Sequence, residues 1–185
     1  MEVKVATFGG GCFWCLEEAF SKVEGVIKVT PGYAGGDVEN PTYEEVCGGK
    51  TGHVEAVQLF YDPERVSFRE LLITYLTNID PTDSKGQFAD RGSQYRPVIF
   101  YHDEEQRRLS EKALRVLSES PLFEEPVSVK VEPFKNFYPA EEYHHRYYQK
   151  EPMRYYHYKV NSGRKTYCEI VWEKKGGRKL LEEKL

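Results

Sequence analysis

The segment HVEAVQLFYD, residues 53–62, places the tightest limit on what this chain can fold into. It is the strongest strand in the sequence, and Asp62-Pro63 stops it. Val54, Ala56, Val57, Leu59 and Phe60 leave both of its faces largely apolar, so it reads as a buried strand. Elements of both kinds surround it. Residues 2–8 alternate around Val3 and Val5 as a strand, and Gly9-Gly10-Gly11 turns the chain. A helix begins at about Cys12, with Trp14, Leu16, Ala19, Phe20 and Val23 near helical spacing. VIKVTPGYAGG reads as a strand and a turn. Ser67-x-x-Glu70 is a capping box for a helix bearing Phe68, Leu71, Leu72, Tyr75, Leu76 and Ile79. PVIFYH is a short buried strand. Asp103 caps a helix to about Ser118, with Gln106 completing a second box. PVSVKVEP is a strand, and Pro139 opens a Tyr-rich helix to about Lys150. TYCEIVW reads as a short strand or helix. KKGGRKLLEEKL reads as a frayed, charged end over about residues 173–185.

The order β-α-β-β-α-β-α-β-α predicts an α+β two-layer sandwich, a central mixed sheet flanked by helices. With 185 residues the chain is expected to form one domain, 1–185. Two long loops, 34–51 and 80–96, are expected to be functional, because long loops in compact domains usually are. The formal net charge of −4 argues against nucleic acid, whose binding face needs excess Lys and Arg. No secretory signal and no apolar run near the ~20 residues of a membrane span are found. The expected compartment is the cytoplasm, where structural disulfides are rare. The four cysteines, Cys12, Cys15, Cys47 and Cys168, therefore read as core residues, metal ligands or redox groups. Many of the 14 tyrosines lie between Phe134 and Tyr167, where they can pack and still point hydroxyls into a cleft.

Cys12 follows a strand and a triple-glycine turn at a helix start. Unpaired N–H groups and the helix dipole there favour an anion, so the thiolate is a better nucleophile. The glycines allow a ligand close to the backbone. The plain alternative is a small buried hydrophobe at a turn. A zinc site would need two more ligands at sensible spacing, and Cys47 and Cys168 are single while His144 and His145 are adjacent. A thioredoxin-like exchange site shares the Cys-x-x-Cys at a helix start. Its sulfur must stay open to a protein disulfide, whereas Phe13 and Trp14 would wall one side as an apolar cage suited to a methyl or thioether group. Core packing of the first helical turn is the alternative for those two rings. Glu55 is odd in its apolar strand. Burial there should raise its pKa and suit it to donate a proton, unless it sits at an edge and reaches water or a Lys.

The blocks GCFWC (11–15), NPTYEEVCGGKTGHVEAV (40–57), YDP (61–63), DRGSQYRP (90–97) and FYPAEEYHHRYY (137–148) resemble peptide methionine sulfoxide reductase A, with weaker support from SGR (162–164) and Trp172. They run in the family's order over most of residues 3–172. The resemblance implies a ferredoxin-like core and reduction of the S epimer of methionine sulfoxide, protein-bound or free, for repair of oxidised proteins. It implies Cys12 as nucleophile passing through a sulfenic acid, and Glu55 as acid. Tyr43, Tyr95 and Asp90 would hold the sulfoxide oxygen or position substrate and water, and Phe13 and Trp14 would hold the S-methyl group. His53, Tyr138, Glu142 and His144 lie in the same motifs and read as packing or supporting groups. Many members resolve the sulfenic acid with cysteines in a C-terminal tail, and nothing after Trp172 supplies one here. Cys15, one helical turn from Cys12, ranks first as the resolving thiol, Cys168 second and Cys47 third. If Trp14 is fixed in the pocket, Cys15 would instead point into the core. No bound cofactor or metal is expected. The implied reductant is thioredoxin or a small dithiol, and the implied state is a monomer. The rival functions are a general thiol–disulfide oxidoreductase using Cys12-x-x-Cys15 and a non-catalytic binder of oxidised methionine. Neither needs an acid at Glu55.

Overall fold

Residues 1–185 are described by a computed structural model. The elements run β1 (Lys4–Gly9), α1 (Phe13–Ser21), β2 (Val26–Ala34), α2 (Tyr43–Cys47), β3 (Val54–Tyr61), α3 (Phe68–Leu76), β4 (Gly86–Gln87), β5 (Asp90–Arg91), β6 (Val98–Tyr101), α4 (Glu104–Glu119), β7 (Lys130–Pro133) and β8 (Phe137–Pro139). The short helices α5 (Tyr147–Lys150), α6 (Pro152–Asn161) and α7 (Arg164–Cys168) follow, then a π-helical turn Glu169–Lys174 and α8 (Gly177–Lys184). Six strands form one sheet in the order β7-β6-β1-β3-β2-β8. Only β6 and β7 pair in parallel, so the sheet is mixed, as expected. The strongly apolar strand β3 lies between β1 and β2 and is buried on both faces.

The register sorts side chains by the two-residue period of a strand. Ala6, Phe8, Val57, Leu59, Tyr61 and Ile99 face the large core, where α1, α3 and α4 pack. Phe8 stacks on Phe20 and Tyr75, with centroids 5.4 and 4.8 Å apart. The other face carries a small core of Ala34, Val54, Ala56, Val98 and Phe100, roofed by Phe134 and Phe137 rather than by a helix. The result is the two-layer α+β arrangement. Glu55 pairs with Tyr33 and, two residues before Val57, falls on the helix-covered face.

Local signals hold in some places and are overridden in others. Ser67 and Glu70 form their capping box on α3. Asp103 caps α4, but Gln106 does not close a box. It accepts from His102 N–H (2.9 Å) and donates to the Val5 carbonyl (2.8 Å), tying α4 to β1. The loop 34–51 contains α2, opened by a box of Thr42 and Glu45. Residues 80–96 carry the hairpin β4–β5 and a 3-10 turn at Ser93–Tyr95.

Pro139 does not open a helix. It ends β8, an edge strand, where a missing N–H costs no ladder bond. The chain then makes a 3-10 turn at Glu142–His144 and bends at Arg146, whose φ is +54°. Glu17, buried on α1, accepts from Arg146 N–H at 2.6 Å and holds that bend. The C-terminal end is not frayed. Trp172 is buried and donates to the Ile79 carbonyl at 3.0 Å, Leu181 is buried, and Arg69 donates to the Glu182 carbonyl. No helix is long and apolar enough to cross a membrane.

Candidate active site

Cys12 is the N-cap of α1, extended at φ −62° and ψ 123°, directly after the glycine turn. The turn is pinned from both sides. Tyr75 donates to the Gly9 carbonyl, and Gly11 N–H donates to the Tyr95 carbonyl at 3.2 Å. Gly11 sits at φ +81°, and a Cβ there would lie 2.5 Å from Arg164 Nη2. A side chain is excluded by both strain and space. Cys12 is 6% exposed and Cys15, one turn on, is 2% exposed. All four cysteines are unpaired.

Glu55 reaches this turn from β3. Its Oε1 accepts from Phe13 N–H at 3.2 Å, one of the unpaired donors at the start of α1. Burial pushes the carboxyl up to about 8, the Phe13 N–H bond opposes that, and the Asp90 and Cys15 charges add to it. Ionising it at pH 7 therefore costs about 1.4 kcal/mol, and the protonated form dominates roughly tenfold. Burial also pushes the Cys12 thiol well up, with Cys15, Glu55 and Asp90 adding to the rise. Cys15 moves the other way, down to about 7. Its neighbour Cys12 is the main cause, burial opposes, and Arg164, Tyr155 and Lys159 help. The nearby cations thus favour a charge on Cys15 rather than on Cys12.

Tyr43 is the first residue of α2, and its backbone N–H donates to Glu141 Oε2 at 3.0 Å. Tyr95 ends the 3-10 turn beside Glu55. Burial raises both phenols above the ordinary tyrosine value. Asp90, on β5, accepts from the Tyr158 hydroxyl, and burial raises its carboxyl. Arg91, its neighbour in sequence, pairs instead with Asp83.

The two aromatic residues after Cys12 separate. Phe13 is 1% exposed and joins the main core, with its ring 5.0 Å from His144 and 5.9 Å from Tyr33. Trp14 is half-buried, stacked on Tyr147 at 3.8 Å and met edge-on by Tyr158 at 5.8 Å. Its indole N–H donates to His144 Nδ1 at 3.2 Å. Trp is only a donor, so Nδ1 carries no proton and the neutral ring is protonated at Nε2. Burial lowers the His144 pKa, in keeping with a neutral ring. A cleft of about 450 Å³ opens here, lined by Trp14, Tyr43, Tyr143, His144 and Tyr147 with Lys150 and Arg154 at its rim. Cys12 and Glu55 are outside its walls, in the adjoining buried cluster.

Of the other cysteines, Cys168 ends α7 half-buried and is pushed up to about 11 by burial, with Arg164 and Lys159 pulling it down. Cys47 is exposed at the end of α2. Three residues at the site are not singled out by the sequence pattern. Tyr155 and Tyr158 lie three apart on α6, one facing Cys15 and the other Asp90. Arg164 is buried against the glycine turn. The i, i+3 spacing within the tyrosine-rich stretch and the Arg of SGR are the signals that could have found them.

The family model for peptide methionine sulfoxide reductase matches residues 4–176. The chain belongs to the peptide methionine sulfoxide reductase A family. It is 52% identical over 172 residues to peptide methionine sulfoxide reductase MsrA 2 of Staphylococcus aureus (strain Mu50 / ATCC 700699), covering 93% of this chain and 97% of that one. It is 49% identical over 172 residues to peptide methionine sulfoxide reductase MsrA of Bacillus licheniformis, covering 93% and 95%. Among solved structures, methionine sulfoxide reductase A of Corynebacterium diphtheriae superposes with a TM-score of 0.73 at 32% identity, covering 81% of this chain and 76% of that one. Mxr1 from Saccharomyces cerevisiae in reduced form also gives 0.73 at 32%, covering 82% and 87%. As a peptide methionine sulfoxide reductase A, the chain is a peptide-methionine (S)-S-oxide reductase.

Proposed function

We propose that this reductase works by attack of the Cys12 sulfur on the sulfoxide sulfur while Glu55 gives its proton to the oxygen and the Cys12 thiol proton passes back to the Glu55 carboxylate. Methionine leaves with its sulfur reduced by two electrons, and Cys12 keeps the oxygen as a sulfenic acid. Cys15 then displaces that oxygen as water and closes a disulfide, which an external dithiol opens. The observation that carries this reading is Glu55: a buried carboxyl, protonated at neutral pH, bonded to the N–H of the residue after Cys12. Neither a general disulfide oxidoreductase nor a binder of oxidised methionine has use for such an acid. Phe13 and Trp14 hold the S-methyl group, and Tyr43 and Tyr95 hold the oxygen. Asp90 orders substrate or water. With methyl and oxygen positions set on opposite sides of a pyramidal sulfur, the R epimer misplaces one of them.

Cys15 as resolving thiol is supported by its place one turn from Cys12 and by the cations around it. Cys168 remains second and Cys47 third. We place the activity in the cytoplasm, on free and protein-bound substrate, with the chain a monomer that binds no cofactor. The reductant is a dithiol of thioredoxin type or a small dithiol. Mxr1 has been solved in complex with Trx2, but at 24% identity that likeness is one of fold. The choice of reductant here rests on the need to reopen a buried disulfide.

The test is a single turnover without reductant. Fully reduced protein mixed with the S sulfoxide should yield about one methionine per chain and a Cys12–Cys15 link in the peptide map. A Cys12–Cys168 link would move the resolving step and keep the function. Cys12→Ser should yield no methionine. Methionine formed at the normal rate by that variant would end the proposal.

A further inference from the structure

Arg164 is 1% exposed and makes no ion pair with any carboxylate. Its Nη1 donates to the Asn78 carbonyl at 2.6 Å, and its Nη2 to the Gly10 carbonyl at 3.2 Å. Its Nε finds no partner, and the guanidinium lies 4.8 Å from the centre of the Phe88 ring. A guanidinium cannot shed its proton to ease burial. A buried cation held only by carbonyl oxygens and a ring is costly unless an anion stands near it. The geometry says where that anion is. Nη2 packs against Gly11, the residue before Cys12, so the cation sits on the turn that leads into Cys12 and the first turn of α1, which carries Cys15.

We propose that Arg164 is a positioning residue for the redox thiols: its guanidinium is the resident counter-ion of the one negative charge shared by the Cys12 and Cys15 sulfurs. The assignment rests on the reading of Cys12 and Cys15 as the redox pair. It gives α7 a task distinct from that of Glu55, which faces the substrate oxygen. Other groups around the pair divide by element. From α6, Tyr155 presents a buried hydroxyl with no oxygen or nitrogen partner, and Lys159 adds a second cation that already pairs with Glu18 at 2.8 Å. From β3 and β5, Glu55 and Asp90 oppose a charge on Cys12. Asp90 is within electrostatic reach of Arg164 too, but it is bonded to Tyr158. Tyr43 of α2 and Cys168 of α7 complete the titratable set. The cation side is therefore the Cys15 side.

The experiment is a thiolate titration by ultraviolet absorbance, with iodoacetamide alkylation of Cys12 and Cys15 followed by peptide mass spectrometry across pH. In Arg164→Met the first titration should move up by about 1–3 pH units, and alkylation at neutral pH should slow about tenfold or more. Arg164→Lys keeps a charge, so it should recover most of the titration. A merely structural role would lower stability in both variants without moving the titration. Should Arg164→Met fail to fold, Arg164→Gln, which keeps side-chain donors without the charge, is titrated in its place, and wild type against Cys15→Ser tests whether Cys15 holds the charge. Cys15 is depressed to about 7 against about 9 in the unfolded chain, so its stabilisation is present above pH 9 and lost as pH falls through 7. Wild type should therefore gain stability over Cys15→Ser between those values. An unchanged titration in folded Arg164→Met, or a flat stability difference, overturns the inference. Methionine formation by wild type is read in parallel, so loss of the reductase mechanism and loss of the Arg164 assignment are separate results.

Discussion

Residues 4–21 and residues 142–184 converge on the same two sulfurs, and they are built differently. The first region is a strand, a glycine turn and a helix. Its position is set by ladder bonds to β3 and β6 and by stacked rings under the sheet. The second is a run of short helices with little sheet contact. It is fastened by single side chains: Glu17 holding Arg146, Trp14 against Tyr147, Tyr158 on Asp90, and Trp172 on Ile79. In the proposed mechanism the groups that meet the sulfoxide come from the first region, from β3 beside it and from the neighbouring loops. The C-terminal region supplies groups that hold those residues in place. A fold can thus fix reacting atoms through a sheet and surround them with a wrap fastened by single side chains.

Substitutions on each side can break that division. The largest effect is expected on the sheet side. Glu55→Gln keeps an acceptor for Phe13 N–H but cannot donate a proton as an acid does, so kcat should fall about 10²–10⁴-fold in steady-state assays. The same variant should become more stable than wild type as pH rises. Glu55 has its pKa raised by burial to about 8, so its favourable burial is complete below about 4.5 and is lost as pH climbs through 8. Chemical denaturation should show the gap growing by about 1.4 kcal/mol per pH unit across that window. A gap that stays constant would mean Glu55 is ionised in the folded protein.

Trp172→Ala tests the fastening of the wrap. It empties a fully buried site and orphans the Ile79 carbonyl, which should cost about 3–5 kcal/mol in urea unfolding. If turnover then falls while the sheet core keeps its hydrogen-exchange protection, the wrap is a separable part of the site. Uniform loss of protection would show one cooperative unit. The smallest effect is expected at Tyr158→Phe, which removes the hydroxyl bonded to Asp90. A hydrogen bond to a charged group is worth about 1.5–3 kcal/mol, so a fall in kcat/KM of roughly tenfold to a hundredfold is expected. A loss equal to that of Glu55→Gln would erase the distinction between the two regions.

The regions differ equally in how well they can be read from the sequence. β3, α1 and α3 carry strong periodicity, capping residues and turn punctuation, all short-range signals. Glu55 stands out because a carboxyl in an apolar strand is a local contradiction. Residues 139–150 mislead because Pro139 followed by polar and aromatic residues looks like a helix start. Its actual neighbour is β2, more than a hundred residues away in sequence. Gln106 looks like part of its own helix cap for the same reason, when its amide reaches β1. The tail KKGGRKLLEEKL looks solvated on its own, and only the surface left open beside α3 and α4 makes Leu181 a core residue.

By itself, then, the sequence determined the strand–turn–helix that carries Cys12, the helices and strands of the two-layer mixed sheet, and the placing of an acid in the apolar strand β3. Each of these is dictated by residues within a few positions of one another. What the tertiary structure alone decided is the electrostatics of the pair. Whether a thiol at a helix start is an anion depends on what is buried against it. Here burial and two carboxyls work against a charge on Cys12, while Arg164, 152 positions beyond it, favours one on Cys15. Charge interactions in a desolvated interior act through space and are weakly screened, so no local pattern along the chain can encode them.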